Sequence, residues 1–105
     1  PNELIVQIKY TDEGKNISED TKWRHWVATG KATLSKDGNS AQLSIFLKNT
    51  QCFGKADFKA EKWSLDCPTD KVYEGAIRPS ENSKYWGKGN EAGMTISIND
   101  KNFRQ

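Results

Sequence analysis

Residues 52–67 read CFGKADFKAEKWSLDC. A tight turn at Lys59-Ala60 pairs Phe58 with Glu61, Ala56 with Trp63, Gly54 with Leu65 and Cys52 with Cys67. One face of the resulting hairpin carries Cys52, Gly54, Ala56, Phe58, Trp63, Leu65 and Cys67. The other carries Phe53, Lys55, Asp57, Lys62, Ser64 and Asp66. Period-two alternation and the cysteine register are independent readings, and they select the same pairing. Directly opposed residues of an antiparallel pair lie close enough for a disulfide. Two sulfurs and one distant histidine, His25, make a poor zinc site, and no Cys-x-x-Cys occurs. The expectation is a Cys52–Cys67 disulfide and therefore an oxidising compartment, periplasmic or secreted.

Upstream, KDGN at 36–39 reads as a second hairpin with a type I′ turn centred on Asp37-Gly38. That centring sets Leu34 against Ala41, Ala32 against Leu43, Gly30 against Ile45 and Ala28 against Leu47. Small residues on one strand thus face large ones on the next, which is how a narrow barrel fills its interior. Leu4, Val6, Ile8 and Tyr10 share a face of an N-terminal strand. Tyr73, Gly75 and Ile77 share another, and Met94, Ile96 and Ile98 a last one. With a strand near 84–88, the pattern predicts a single β-rich domain over 1–105, an antiparallel barrel or compact sandwich of seven or eight short strands. Glycines recur in TGKATL, FGKADF and YEGAIR, where they relieve bends in a strongly curved sheet. One helix is expected near 16–25, capped by Asn16 with Glu19 completing a capping box, although Trp26 also fits the start of the next strand.

The formal charge is +2, from 16 basic and 14 acidic residues interspersed along the 105-residue chain. A dedicated DNA-binding domain shows a basic stripe instead. No apolar run approaches the roughly 20 residues of a membrane helix, and no hydrophobic leader is seen. The chain opens at Pro1 without an initiator Met, so removal of an upstream segment is expected.

No residue pattern points to catalysis, a cofactor or a metal. His25 stands between Arg24 and Trp26 without a Gly-x-Ser-x-Gly elbow or other nucleophile context, and no Asp-x-Asp-x-Asp calcium loop occurs. A glycosidase pair of carboxylates needs a cleft for which so small a domain has little room. The stretch YWGKGNEAGMT (85–95) has Gly87-x-Gly89-x-x-x-Gly93, one residue longer than a dinucleotide fingerprint. That fingerprint also requires a following helix, whereas GMTISIND alternates as a strand. Its simplest reading is a hairpin loop whose glycines take positive φ.

YWGKGNEA nevertheless resembles the Lys-Gly-x-Glu-Ala signature of the periplasmic and membrane-anchored inhibitors of c-type lysozyme, the MliC/PliC family. The resemblance covers about eight residues and implies a small exported, disulfide-containing barrel of eight strands. It also implies that Lys88 is the cation inserted into the lysozyme cleft, with Gly89 and Glu91 shaping its loop beside Tyr85 and Trp86. The family's Ser-Gly-x-x-Tyr motif is missing, because Ser80 and Ser83 in PSENSKYW lack the following glycine. Its N-terminal Tyr-x-Cys is absent too, so the resemblance assigns the assisting role to no particular serine.

Phe46 and Phe53 point away from the expected core, near Lys48 and Lys55. Such a patch suits an interface with a protein. It also suits base stacking in a single-strand-binding OB-like module, while the expected helix at 16–26 would bury both rings. The expected function is thus a non-enzymatic, exported domain that binds a protein, as inhibitor or accessory factor at a bacterial envelope. A nucleic-acid-binding module and a structural component of a surface complex are the alternatives.

Overall fold

The computed structural model describes residues 2–12, 24–68, 71–91 and 93–101. Among them every regular element is a strand: β1 (Glu3–Asp12), β2 (Arg24–Leu34), β3 (Ser40–Leu47), β4 (Thr50–Asp57), β5 (Lys62–Cys67), β6 (Lys71–Pro79), β7 (Tyr85–Lys88) and β8 (Thr95–Asp100). Each pairs antiparallel with its sequence neighbours, and β8 returns to β1 through Val6↔Ile98 and Ile8↔Ile96, closing an up-and-down barrel. Closure leaves the sheet without a free edge.

Both hairpin registers appear as the alternation requires. Gly54↔Leu65 and Ala56↔Trp63 pair β4 with β5, and Ala32↔Leu43 and Leu34↔Ala41 pair β2 with β3. The inward positions fill the interior with Val6, Ile8, Ile45, Leu47, Leu65, Ile77, Ile96 and Ile98, all fully buried. Cys52 and Cys67 form a disulfide with their Cα atoms 4.4 Å apart. Gly30, Gly54, Gly75 and Gly87 face inward where a neighbouring strand's backbone crosses so closely that a Cβ would collide with it. This is the close approach that a tightly coiled barrel demands.

The turns differ in detail from the sequence reading. The β2–β3 turn is not type I′ about Asp37-Gly38: Gly38 N–H donates to the Ser35 carbonyl, and in this turn only Gly38 has positive φ, at 76°. A four-residue loop admits an ordinary turn followed by one left-handed residue, and the register is unchanged. The β4–β5 turn likewise spans Phe58–Glu61, with Glu61 at φ 59° and Asp57 Oδ1 accepting from the Lys59 and Ala60 amides. A two-residue turn with both φ positive stands instead at Lys48 (50°) and Asn49 (66°), joining Leu47 to Thr50.

The helix expected over 16–25 is not seen. Its last residues, Arg24 and His25, belong to β2 and pair with Asp12 and Thr11, while 16–23 lie outside the described residues. The β1 backbone needs a hydrogen-bonding partner along its whole length, and β2 supplies it as far as Arg24.

Candidate functional site

β7 is the four-residue strand YWGK, so period two turns Tyr85 and Gly87 inward and Trp86 and Lys88 outward. Tyr85 is half-buried and stacks on Phe58 at 3.8 Å between ring centroids, which gives it a packing role. Trp86 is 41% exposed. Lys88 is exposed and makes no ion pair with a described residue.

The loop that follows is held down along its length. Trp63, only 2% exposed, donates its indole N–H to the Lys88 carbonyl oxygen at 3.1 Å. Gly75 leaves room for that same carbonyl. The Asn90 side-chain amide then bonds β6 twice: its Oδ1 accepts from Glu74 N–H, and its Nδ2 donates to the Val72 carbonyl, each at 3.1 Å. It thereby replaces a strand partner where β7 no longer pairs with β6, since that ladder ends at Ile77↔Gly87. Glu91 lies 3.3 Å from the Lys71 ammonium, an exposed pair that adds little energy. Gly89 and Met94 close the hairpin through Gly89 N–H to the Met94 carbonyl at 3.0 Å. Of the glycines in this stretch only Gly93 has positive φ, at 72°. Gly87 and Gly89 are small because the Ala76 carbonyl and the Met94 side chain pack where a Cβ would stand.

The structure thus gathers Trp86, Lys88, Gly89 and Glu91 on one side of the barrel. Phe46 and Phe53 stand on β3 and β4, across the barrel from β7. They are 58% and 60% exposed, so neither ring is buried as the expected helix would require, and the outer face they share also carries Asp66, paired with Phe53. Sequence reasoning missed Asn90 and the Trp63–Lys88 link. It also missed a groove of about 560 Å³ outside β7, where Lys9, Thr95 and Ser97 line the wall beside Trp86. Period two had already turned Thr95 and Ser97 outward, and their polarity was the available signal. A second concavity, of about 480 Å³, mixes Lys55 and Lys62 with Asp57 and Glu74 and so favours neither sign of charge.

Among the described residues no group of His, Cys, Asp and Glu is placed to hold a metal ion. No family model, curated protein or solved structure matches the chain, so its function has to be argued from this geometry.

Proposed function

We propose that this chain is an exported, non-enzymatic binding barrel that engages a protein partner through the β7–β8 loop. The observation that carries the reading is the contrast at Lys88: its carbonyl is anchored to Trp63, while its ammonium extends into solvent without an ion pair to a described residue. A cation on a fixed backbone loses little entropy on docking, and it complements an acidic cleft. The resemblance to inhibitors of c-type lysozyme names one such cleft, with Lys88 inserting and Gly89 and Glu91 holding the loop. The disulfide supports a periplasmic or secreted location. An accessory or assembly role in a surface complex would use the same loop on a different partner.

Residual activity of a c-type lysozyme in the presence of excess barrel is the direct test. Inhibition that disappears in Lys88→Ala is expected, and undiminished lysozyme activity sinks the inhibitor version.

The exposure of Phe46 and Phe53, with Lys55 on the same outer face, favours a second reading, single-stranded nucleic acid stacked on β3 and β4, although the Lys48 ammonium turns to the Tyr10 ring instead. Asp66 beside Phe53 opposes it by repelling phosphates. Fluorescence anisotropy of a labelled oligonucleotide across a salt series separates the two, and absence of binding at low salt removes the nucleic-acid reading.

A further inference from the structure

The groove outside β7 has a composition of its own. Trp86 forms one side, and in the ladder it stands directly beside Ser97 of β8. Thr95 pairs with Lys88 on one side and Lys9 on the other, so it stands between two lysines in the ladder, of which Lys9 lines the groove. Ser80, Asn82 and Ser83 from the β6–β7 connection add to the lining, and among the described residues no carboxylate takes part in it. We propose that this groove is a binding site for an anionic saccharide.

Three features select that chemistry. The exposed indole offers a flat face of negative electrostatic character, which suits the electropositive C–H face of a pyranose ring. Hydroxyl and amide side chains both donate and accept, matching sugar hydroxyls, which do the same. Lys9, unopposed by a carboxylate among the described lining residues, supplies the charge for a uronate or a sulfate. A peptide adding itself as a strand is excluded by the closed sheet. A nucleic-acid strand is normally held by several rings along a charged track, and among the described residues this groove has one, Trp86.

The site is also built before any ligand arrives. Lys84 N–H donates to Oδ1 of the buried Asn99 at 3.1 Å, and the Lys84 ammonium lies 3.5 Å from Asp100. Asn82 N–H donates to Ser80 Oγ at 3.3 Å. These bonds fix the connection that forms the groove's outer wall, so little ordering remains to oppose binding. The inference does not rest on the protein-docking reading, because Trp86 and Lys9, and not the loop tip, carry it.

Amide chemical-shift titration tests the proposal with four probes: a galacturonic acid oligomer, a sulfated galactose oligomer, a glucose oligomer of similar length and oligothymidylate. Shifts at Trp86, Thr95 and Ser97 are expected with at least one acidic sugar. Trp86→Ala should weaken binding about tenfold or more, while Trp86→Phe keeps most of it. Lys9→Gln should weaken the acidic sugar and flatten its salt dependence. Should Trp86→Ala fail to fold, Ser97→Tyr fills the groove from β8 and is expected to abolish binding while leaving the rest of the spectrum unchanged. No response to either acidic oligomer, equal affinity for the neutral one, tighter binding of oligothymidylate, or indifference to these substitutions overturns it.

Discussion

The indole N–H of Trp63 and the carbonyl of Lys88, 25 residues apart, are joined by a hydrogen bond of 3.1 Å that ties the core to the candidate docking loop. Trp63→Phe keeps an aromatic ring but deletes the donor and leaves the carbonyl without it. A loss of about 1–3 kcal/mol in urea unfolding is expected. Hydrogen exchange at the Gly89 amide, which bonds Met94, should accelerate beyond what the global loss explains. Exchange that merely follows global stability would show that the bond does not hold the loop.

Gly75 and Gly38 separate two reasons for glycine. At Gly75 a Cβ would collide with the Lys88 carbonyl, whereas at Gly38 nothing lies within 4 Å and only the positive φ of 76° matters. Gly38→Ala should therefore destabilise by about 1 kcal/mol and leave the loop alone. Gly75→Ala should cost about 3 kcal/mol and displace Lys88 and Gly89, visible as large amide shifts confined to β6 and the β7–β8 loop. Equal effects at the two positions would contradict the close-approach explanation.

The Cys52–Cys67 disulfide closes a loop with a sequence separation of 15 between opposed strands. Replacing both cysteines by alanine should lower stability by about 3 kcal/mol, measured by denaturant unfolding under identical conditions. Intact mass after thiol blocking, with and without reductant, provides the chemical check: two alkylatable thiols in the native protein would contradict the bond.

Much of this barrel was legible because two local patterns coincide at Cys52–Cys67: a one-residue slip would both separate the sulfurs and turn Trp63 and Leu65 to solvent. At Arg24 and His25, the described end of the helix expected at 16–25, strand replaces helix for the opposite reason. The helix's capping box is a local signal, while strand structure at Arg24 and His25 comes from pairing with Asp12 and Thr11, which no local pattern displays. The Lys48-Asn49 turn was hidden because lysine is not a usual left-handed residue. At the candidate site, the strand expected near 84–88 is β7, on which Trp86 and Lys88 share the outer face. Alternation could not foretell Asn90, whose partners Val72 and Glu74 lie 18 and 16 residues away on another strand.

Asp37 gives the β2–β3 turn a dependence on pH. The Asn39 backbone N–H, first in effect, and the Ser35 hydroxyl donate to its Oδ1 at 3.0 and 2.7 Å, holding its carboxyl below the usual value. A folded pKa below the unfolded one means stability that is complete above the ordinary carboxylate range and is lost as pH falls through the folded value. Below about pH 4 the wild type should therefore lose stability more steeply than Asp37→Asn, which keeps an acceptor but does not titrate. Unfolding midpoints of the two proteins, followed downward in pH, should converge. Parallel curves would assign the acid sensitivity to other carboxylates.

Lys48 sits in a left-handed conformation that disfavours its side chain, yet its ammonium lies 4.9 Å from the centre of the Tyr10 ring. Relief of backbone strain by Lys48→Gly is worth about 1 kcal/mol, and loss of the cation–π contact costs about 0.5–1 kcal/mol at an exposed site. In the wild-type background the two nearly cancel, so Lys48→Gly alone should change stability little. In a Tyr10→Leu background only the longer approach to the Tyr73 ring, 6.0 Å, remains to offset the strain, so the same substitution should stabilise by about 0.5–1 kcal/mol more. Equal effects in both backgrounds would mean that the Tyr10 ring contributes nothing at this turn. The double-mutant cycle, read by urea unfolding, decides between them.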